Sequence, residues 1–217
     1  MMNLETLQLF SAAGMLFFTI FLMSKPRLPA VLRHFSIASL FLALFLTAGA
    51  LLHGSWQGIV IAIWTVIFKV ILVPLLIMQI TRRTHASLQV KFFTRPAMTY
   101  FLIALVLVVS AFVIKAFPIH LVGEQSTVLF VALSMILLGL VFLVARHDVF
   151  SQIIGFLILE NGITTFGSIA ISDIPLWIEL GIAFTTIAGA ILMATIGREI
   201  QLVYSTGDTD SLRELTE

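Results

Sequence analysis

Residues 57–80 read QGIVIAIWTVIFKVILVPLLIMQI, a run of 24 positions with one charge, Lys69, and one proline, Pro74. An α-helix rises about 1.5 Å per residue, so a helical run of this length exceeds the roughly 30 Å of a bilayer's hydrocarbon core. A soluble protein would have to bury such a helix on every side, and the rest of the chain is built the same way. Of 217 residues, 60% are hydrophobic and 11% charged, whereas an ordinary soluble domain carries roughly 25% charged residues. Lipid must therefore be the solvent for most side chains. The fold class that follows is all-α, a polytopic integral membrane protein.

Working outward from this run, cuts at charge, proline and polar clusters predict seven transmembrane helices, near residues 5–23, 35–52, 57–80, 97–117, 126–145, 150–171 and 175–197. They form one membrane domain over 1–204, followed by an acidic tail over 205–217 with Asp208, Asp210, Glu214 and Glu217. The tail reads either as a frayed end or as a docking peptide for a cytoplasmic subunit. Glu5 precedes the first run and Lys25 and Arg27 follow it, the reverse of a signal peptide, so this run is expected to stay as a spanning helix. Cations alternate between loops. Lys25, Arg27 and Arg33 fall in the first, Arg82, Arg83, Lys91 and Arg95 in the third, Arg146 in the fifth, and Arg198 and Arg213 at the C-terminal end. The positive-inside rule then puts the N-terminus outside and the C-terminus inside.

Several functions are excluded by composition. A formal net charge of +1 leaves no excess with which to neutralise a run of phosphates, so nucleic acid is not an expected partner. Without cysteine there is no thiolate for an iron–sulfur cluster, and His34, His53, His85, His120 and His147 lie too far apart in sequence for a metal-ligand motif. No catalytic residue, cofactor site or metal site is expected on this chain, and it has no Gly-rich phosphate loop.

Charges inside the spans are the informative residues, because each one near the bilayer centre costs about 2.5 kcal/mol or more to insert. Lys69 lies about 16 Å deep in the third run and Glu160 about 15 Å deep in the sixth, both at the midplane. Glu179 lies only about 6 Å inside the seventh run, and Lys115 sits near the end of the fourth, where a side chain can snorkel to water. Pro74 lacks an N–H and is expected to kink the third run, freeing the Val70 carbonyl beside Lys69. A freed carbonyl and an ammonium at one depth make a polar pocket in which Lys69 can take and release a proton. The competing reading is a static Lys69–Glu160 ion pair that locks two helices. Around Glu160, Gly155 and Gly162 allow close helix approach, and Asn161, Thr164 and Thr165 supply hydrogen-bonding groups. Thr185 and Thr186 reach a similar depth on the seventh run, although threonines in membrane helices usually bond their own backbone.

The segment 126–200, with Arg146, Ile154, Gly155, Asn161 and Arg198, is similar to the K-type small membrane subunit of respiratory complex I and of related cation antiporters. With Lys69–Pro74, Leu159–Gly162, Ile178–Ile182 and the acidic tail, nearly the whole chain resembles the hydrogenase-4 component E family. This resemblance implies a multi-pass subunit in the cell inner membrane. It would belong to the membrane arm of a complex I-related [NiFe] hydrogenase or formate hydrogenlyase. Its implied partners are antiporter-like membrane subunits and the hydrogenase peripheral arm, with nickel–iron and iron–sulfur centres on those partners. The arm would move protons or sodium ions, and the ion-pathway candidates here are Glu160, Lys69, Asn161, Thr185 and Glu179. The chain departs from the K-type pattern at two points. The glutamate expected four residues before Asn161 falls on Leu157, and the second falls on Thr185. A scaffold without its own ion path is the alternative. An independent transporter is the third class, and the inverted repeat that would favour it is not evident in the sequence.

Overall fold

The computed structural model describes residues 3–83, 96–116, 124–146 and 148–170, and these are helical apart from short turns and single bridge residues at Arg27, Arg146 and Asp148. The helices are α1 (Leu4–Met23), α2 (Leu28–His53), α3 (Trp56–Thr65), a π-helical segment (Val66–Leu72), α4 (Val73–Arg83), α5 (Pro96–Ala116), α6 (Glu124–Ala145) and α7 (Val149–Ala170). Among the described residues six helices are long and apolar enough to cross a membrane, with α3, the π segment and most of α4 making one of them. The seventh run expected over 175–197 and the tail over 205–217 lie outside the described residues.

Four helices make the centre. α1 lies along α2, α6 lies along α7, and the pairs meet where α1 touches α6 and α2 touches α7. The third span leans on the outside of α2, and α5 leans on α6. Phe35 and Phe45 of α2, Met15 and Leu22 of α1, Met135 and Phe142 of α6, and Ile154 and Leu157 of α7 are buried in the central contact. The flanking spans show large apolar side chains to the outside, among them Trp56, Ile63 and Ile67 on the third span and Val108 and Phe112 on α5. A water-soluble monomer could not leave such faces open, whereas a bilayer accepts them.

Glycine sets how closely α6 and α7 approach. A Cβ added to Gly155 would meet the Leu143 backbone nitrogen at 2.8 Å, one on Gly162 would meet that of Ile136 at 2.7 Å, and one on Gly139 would strike the Leu159 backbone. Backbone therefore lies where side chains normally stand, and dispersion contacts gain from that proximity.

α2 starts at Leu28, seven residues before the expected position 35, because Pro29 occupies the first turn, where no N–H is needed. Arg33 and His34 are consequently helical, not loop residues. At its other end Gly54 ends α2 with φ +65°, a left-handed conformation natural to glycine. Ser55 then caps α3 by accepting a hydrogen bond from the Gly58 N–H at 3.4 Å. The turns on one side are tied together: Arg146 Nη2 donates to the Met23 carbonyl at 2.7 Å, linking the α6–α7 turn to the end of α1.

Candidate functional site

Pro74 acts on the helix before it, and the form of the disturbance is specific. Val66–Leu72 is a π-helix of seven residues centred on Lys69, and the Val73 N–H pairs with the Phe68 carbonyl five residues back. In that register the donor that Pro74 lacks falls opposite the carbonyl of Lys69, so the disturbance is a widened turn around the lysine and not a simple bend at Val70. The extra residue per turn re-aims Lys69 inward although its span sits on the flank of the bundle.

Lys69 Nζ lies 3.0 Å from Glu160 Oε1 and donates to Asn161 Oδ1 at 2.9 Å. Asn161 Nδ2 in turn donates to Ser39 Oγ at 3.2 Å. The chemistry fixes the orientation of the amide, since an ammonium only donates and must face the oxygen, which turns the NH2 group toward the serine. Three spans thus meet at one polar point: the π segment, α7 and α2. All four side chains are buried, Asn161 and Ser39 completely and Glu160 and Lys69 at 5% and 7% exposure. Each lies near the middle of its span. Glu160 Oε2 is buried and has no hydrogen-bond partner among the described residues.

Asn161 and Glu160 are neighbours in sequence, and both reach Lys69. Thr164 and Thr165 donate to the backbone carbonyls of Glu160 and Asn161 at 2.9 and 2.8 Å, so they serve their own helix. Thr185 and Glu179 lie outside the described residues. Sequence reading missed Ser39. Its only signal is a small hydroxyl at mid-depth in a helix that also carries Ser36 and Thr47, and it gains meaning once its depth is matched to that of Lys69.

A second polar cluster lies at the end of the bundle, outside the spans. Arg146 is buried at 2% exposure, its guanidinium 4.6 Å over the Phe142 ring. Burial lowers its pKa to about 10, against the pull of nearby Asp148 in the other direction. Asp148 caps α7 by accepting from the Ser151 N–H at 2.8 Å. Burial raises its pKa above the usual carboxylate value, and the Ser151 hydrogen bonds and Arg146 offset only part of that. Among the described residues no three His, Asp or Glu side chains converge as metal ligands.

Hydrogenase-4 component E of Escherichia coli is 32% identical over 149 residues, 69% of this chain and 69% of that protein, and the protein of the same name in Shigella flexneri matches equally. The chain belongs to the hydrogenase-4 component E family. An uncharacterized protein of Mycobacterium tuberculosis is 29% identical over 86 residues, 40% of this chain and 39% of its own length. No family profile and no solved structure matches the chain. For a component E family member, the Lys69–Glu160–Asn161–Ser39 cluster is the one place among the described residues where opposite charges meet at mid-membrane depth.

Proposed function

We propose that this multi-pass membrane protein is a membrane-arm subunit of a [NiFe] hydrogenase or formate hydrogenlyase assembly, and that Glu160 and Lys69 carry protons through it. Its N-terminus lies outside, its C-terminus inside, and a seventh span over 175–197 brings Thr185 and Glu179 toward the same path. Electron transfer takes place on nickel–iron and iron–sulfur centres of a peripheral arm, and antiporter-like subunits are its neighbours in the membrane. Family membership supports the assembly. The tie between Arg146 and Met23 supports a topology in which the first and fifth loops share a side.

The carrying observation is the geometry at Glu160. One carboxylate oxygen is held by Lys69, while the other is buried without a hydrogen-bond partner among the described residues, at a depth where an ionisable group is costly unless it is used. A carboxylate with one free oxygen can accept a proton there without first breaking its ion pair. The scaffold reading is favoured by a different observation, the glycine-mediated closeness of α6 and α7, which is compatible with a pair that never opens. The two separate on Glu160→Gln, which keeps shape and removes the titrating group. Proton uptake into inverted membrane vesicles, driven by the hydrogenase reaction, should fall to background while assembly of the complex is unchanged. Unaltered uptake would leave the chain as scaffold.

A further inference from the structure

The α1–α2 pair carries an aromatic groove that the ion path does not use. Phe10, Gly14, Phe17 and Phe21 recur at helical spacing along one face of α1, and His34 and Phe41 lie seven residues apart on one face of α2, whose N-cap is Arg27. The rings touch in series. Phe41 packs edge-on to Phe10 at 6.0 Å and stacks on Phe18 at 5.6 Å, Phe17 meets Phe21 at 4.8 Å, and His34 lies parallel to Phe21 at 6.3 Å with an interplanar angle of 8°. Gly14 is the notch that seats Phe41, since a Cβ there would lie 2.6 Å from its ring. Phe10, Phe17 and Phe21 remain 61%, 54% and 44% exposed.

The groove has a cationic head at one end. Lys25 Nζ lies 5.2 Å over the Phe21 ring, Arg27 is exposed at the start of α2, and the sequence from residue 6 to residue 123 contains no Asp or Glu to neutralise them. His34 Nδ1 is spent on the Ala30 carbonyl at 2.7 Å; a carbonyl only accepts, so Nδ1 carries the hydrogen. From Phe21 to Phe10 the face runs 11 residues, about 16 Å of helix rise, close to half of a roughly 30 Å hydrocarbon core. One apolar leaflet depth is thus lined by rings, with two cations at the interface that form no ion pair among the described residues.

We infer that this groove binds one anionic phospholipid, its phosphate headgroup on Lys25 and Arg27 and an acyl chain lying along Phe21, Phe17 and Phe10. Charge decides the class: a zwitterionic headgroup brings its own cation to a place already crowded with them, whereas an anionic headgroup removes the repulsion between Lys25 and Arg27. A covering protein subunit would need acidic residues at this height and would exclude the lipid.

The test uses the full chain purified in mild detergent and stripped of lipid. Its melting temperature and its lipid adducts in native mass spectrometry are followed with phosphatidylglycerol, phosphatidylcholine or inorganic phosphate added. Phosphatidylglycerol should leave a single bound lipid and raise the melting temperature by several degrees, with phosphatidylcholine and phosphate having little effect. In the surface variant Lys25→Gln/Arg27→Gln, checked for native helix content, adduct and shift should both fall at least fivefold. Equal protection by phosphatidylcholine, protection by phosphate alone, or an adduct indifferent to the double substitution would overturn the inference. So would a neighbouring subunit found on this groove in the isolated complex.

Discussion

Replacing Lys69 by Met should destabilise the protein through Glu160, not through lost packing. Met fills nearly the volume of the lysine stem, so the apolar contacts survive. What changes is that a carboxylate at 5% exposure loses the ammonium 3.0 Å away. Removing one partner of a buried pair costs about 3–5 kcal/mol, chiefly because the other charge stays buried alone. Glu160→Gln should cost less, because Lys69 keeps the Asn161 oxygen at 2.9 Å and gains an amide oxygen in place of the carboxylate. The double substitution leaves no charge at the site, so its loss should be smaller than that of Lys69→Met alone. The non-additivity expected for directly touching groups is about 2–3 kcal/mol. Reversible unfolding in mixed micelles, titrated with a denaturing detergent, gives the four free energies. Effects of the two single substitutions that sum to the double within about 0.5 kcal/mol would refute the argument. The pair would then contribute nothing that its members do not contribute separately.

Gly155→Leu should be among the most damaging neutral substitutions. Its Cβ would start 2.8 Å from the Leu143 backbone nitrogen, so α6 and α7 must part, for about 1–3 kcal/mol or more by thermal melting; an unchanged melting temperature would contradict the packing. At Asp148 the sign follows from the raised pKa. The folded state holds the carboxyl proton more tightly than the unfolded chain, so the stability from this group is full below its ordinary 3.8 and is lost as pH rises through the higher folded value. Asp148→Asn, which keeps an oxygen for the Ser151 N–H, should match or exceed the parent at pH 7 and flatten the acid limb of the stability curve. Asp148→Ala should lose about 1 kcal/mol with the cap. Hydrogen exchange supplies another check: Glu160→Gln should raise exchange in Val66–Leu72 more than in the glycine-packed stretch 155–162, and the reverse order would contradict the assignment of the pair as a link between spans.

The six described spans were legible because lipid demands a long apolar run for each, and composition alone separates such runs from loops. Boundaries were less so. Arg33 and His34 lie inside α2, since a helix continues past the apolar core into the interface and long cations tolerate that position. The midplane depth of Lys69 and Glu160 follows from counting residues, but their contact does not, because counting gives height and not azimuth. The missing azimuth came from the π segment. A proline four or five residues past a lysine announces a disturbed helix, yet whether it becomes a kink or a widened turn depends on how the neighbouring backbone is supported. Ser39 was invisible for a related reason: it is one of three hydroxyls in α2, with Ser36 and Thr47, and nothing marks it out until Asn161 is known to point at it.

The distribution of packing assigns the ion pair a mechanical as well as an electrostatic role. α1, α2, α6 and α7 hold one another through continuous buried faces, and α6 and α7 in addition through backbone contact at Gly139, Gly155 and Gly162. Among the described residues the third span has no comparable hold. It rests on α2, and Trp56, Ile63, Ile67, Ile71 and Leu75 face outward. Lys69 is the side chain that reaches from this span past α2 to α7. It does so from a helical register that is itself strained relative to an ordinary α-helix. A change of charge at Glu160 therefore acts on the least anchored of the spans that meet at the site. The α6–α7 interface, fixed by backbone contact, does not feel it to the same degree. That asymmetry is what a charge-responsive element requires: a rigid frame that fixes Glu160 and Asn161, and a softer helix whose one buried cation registers their state.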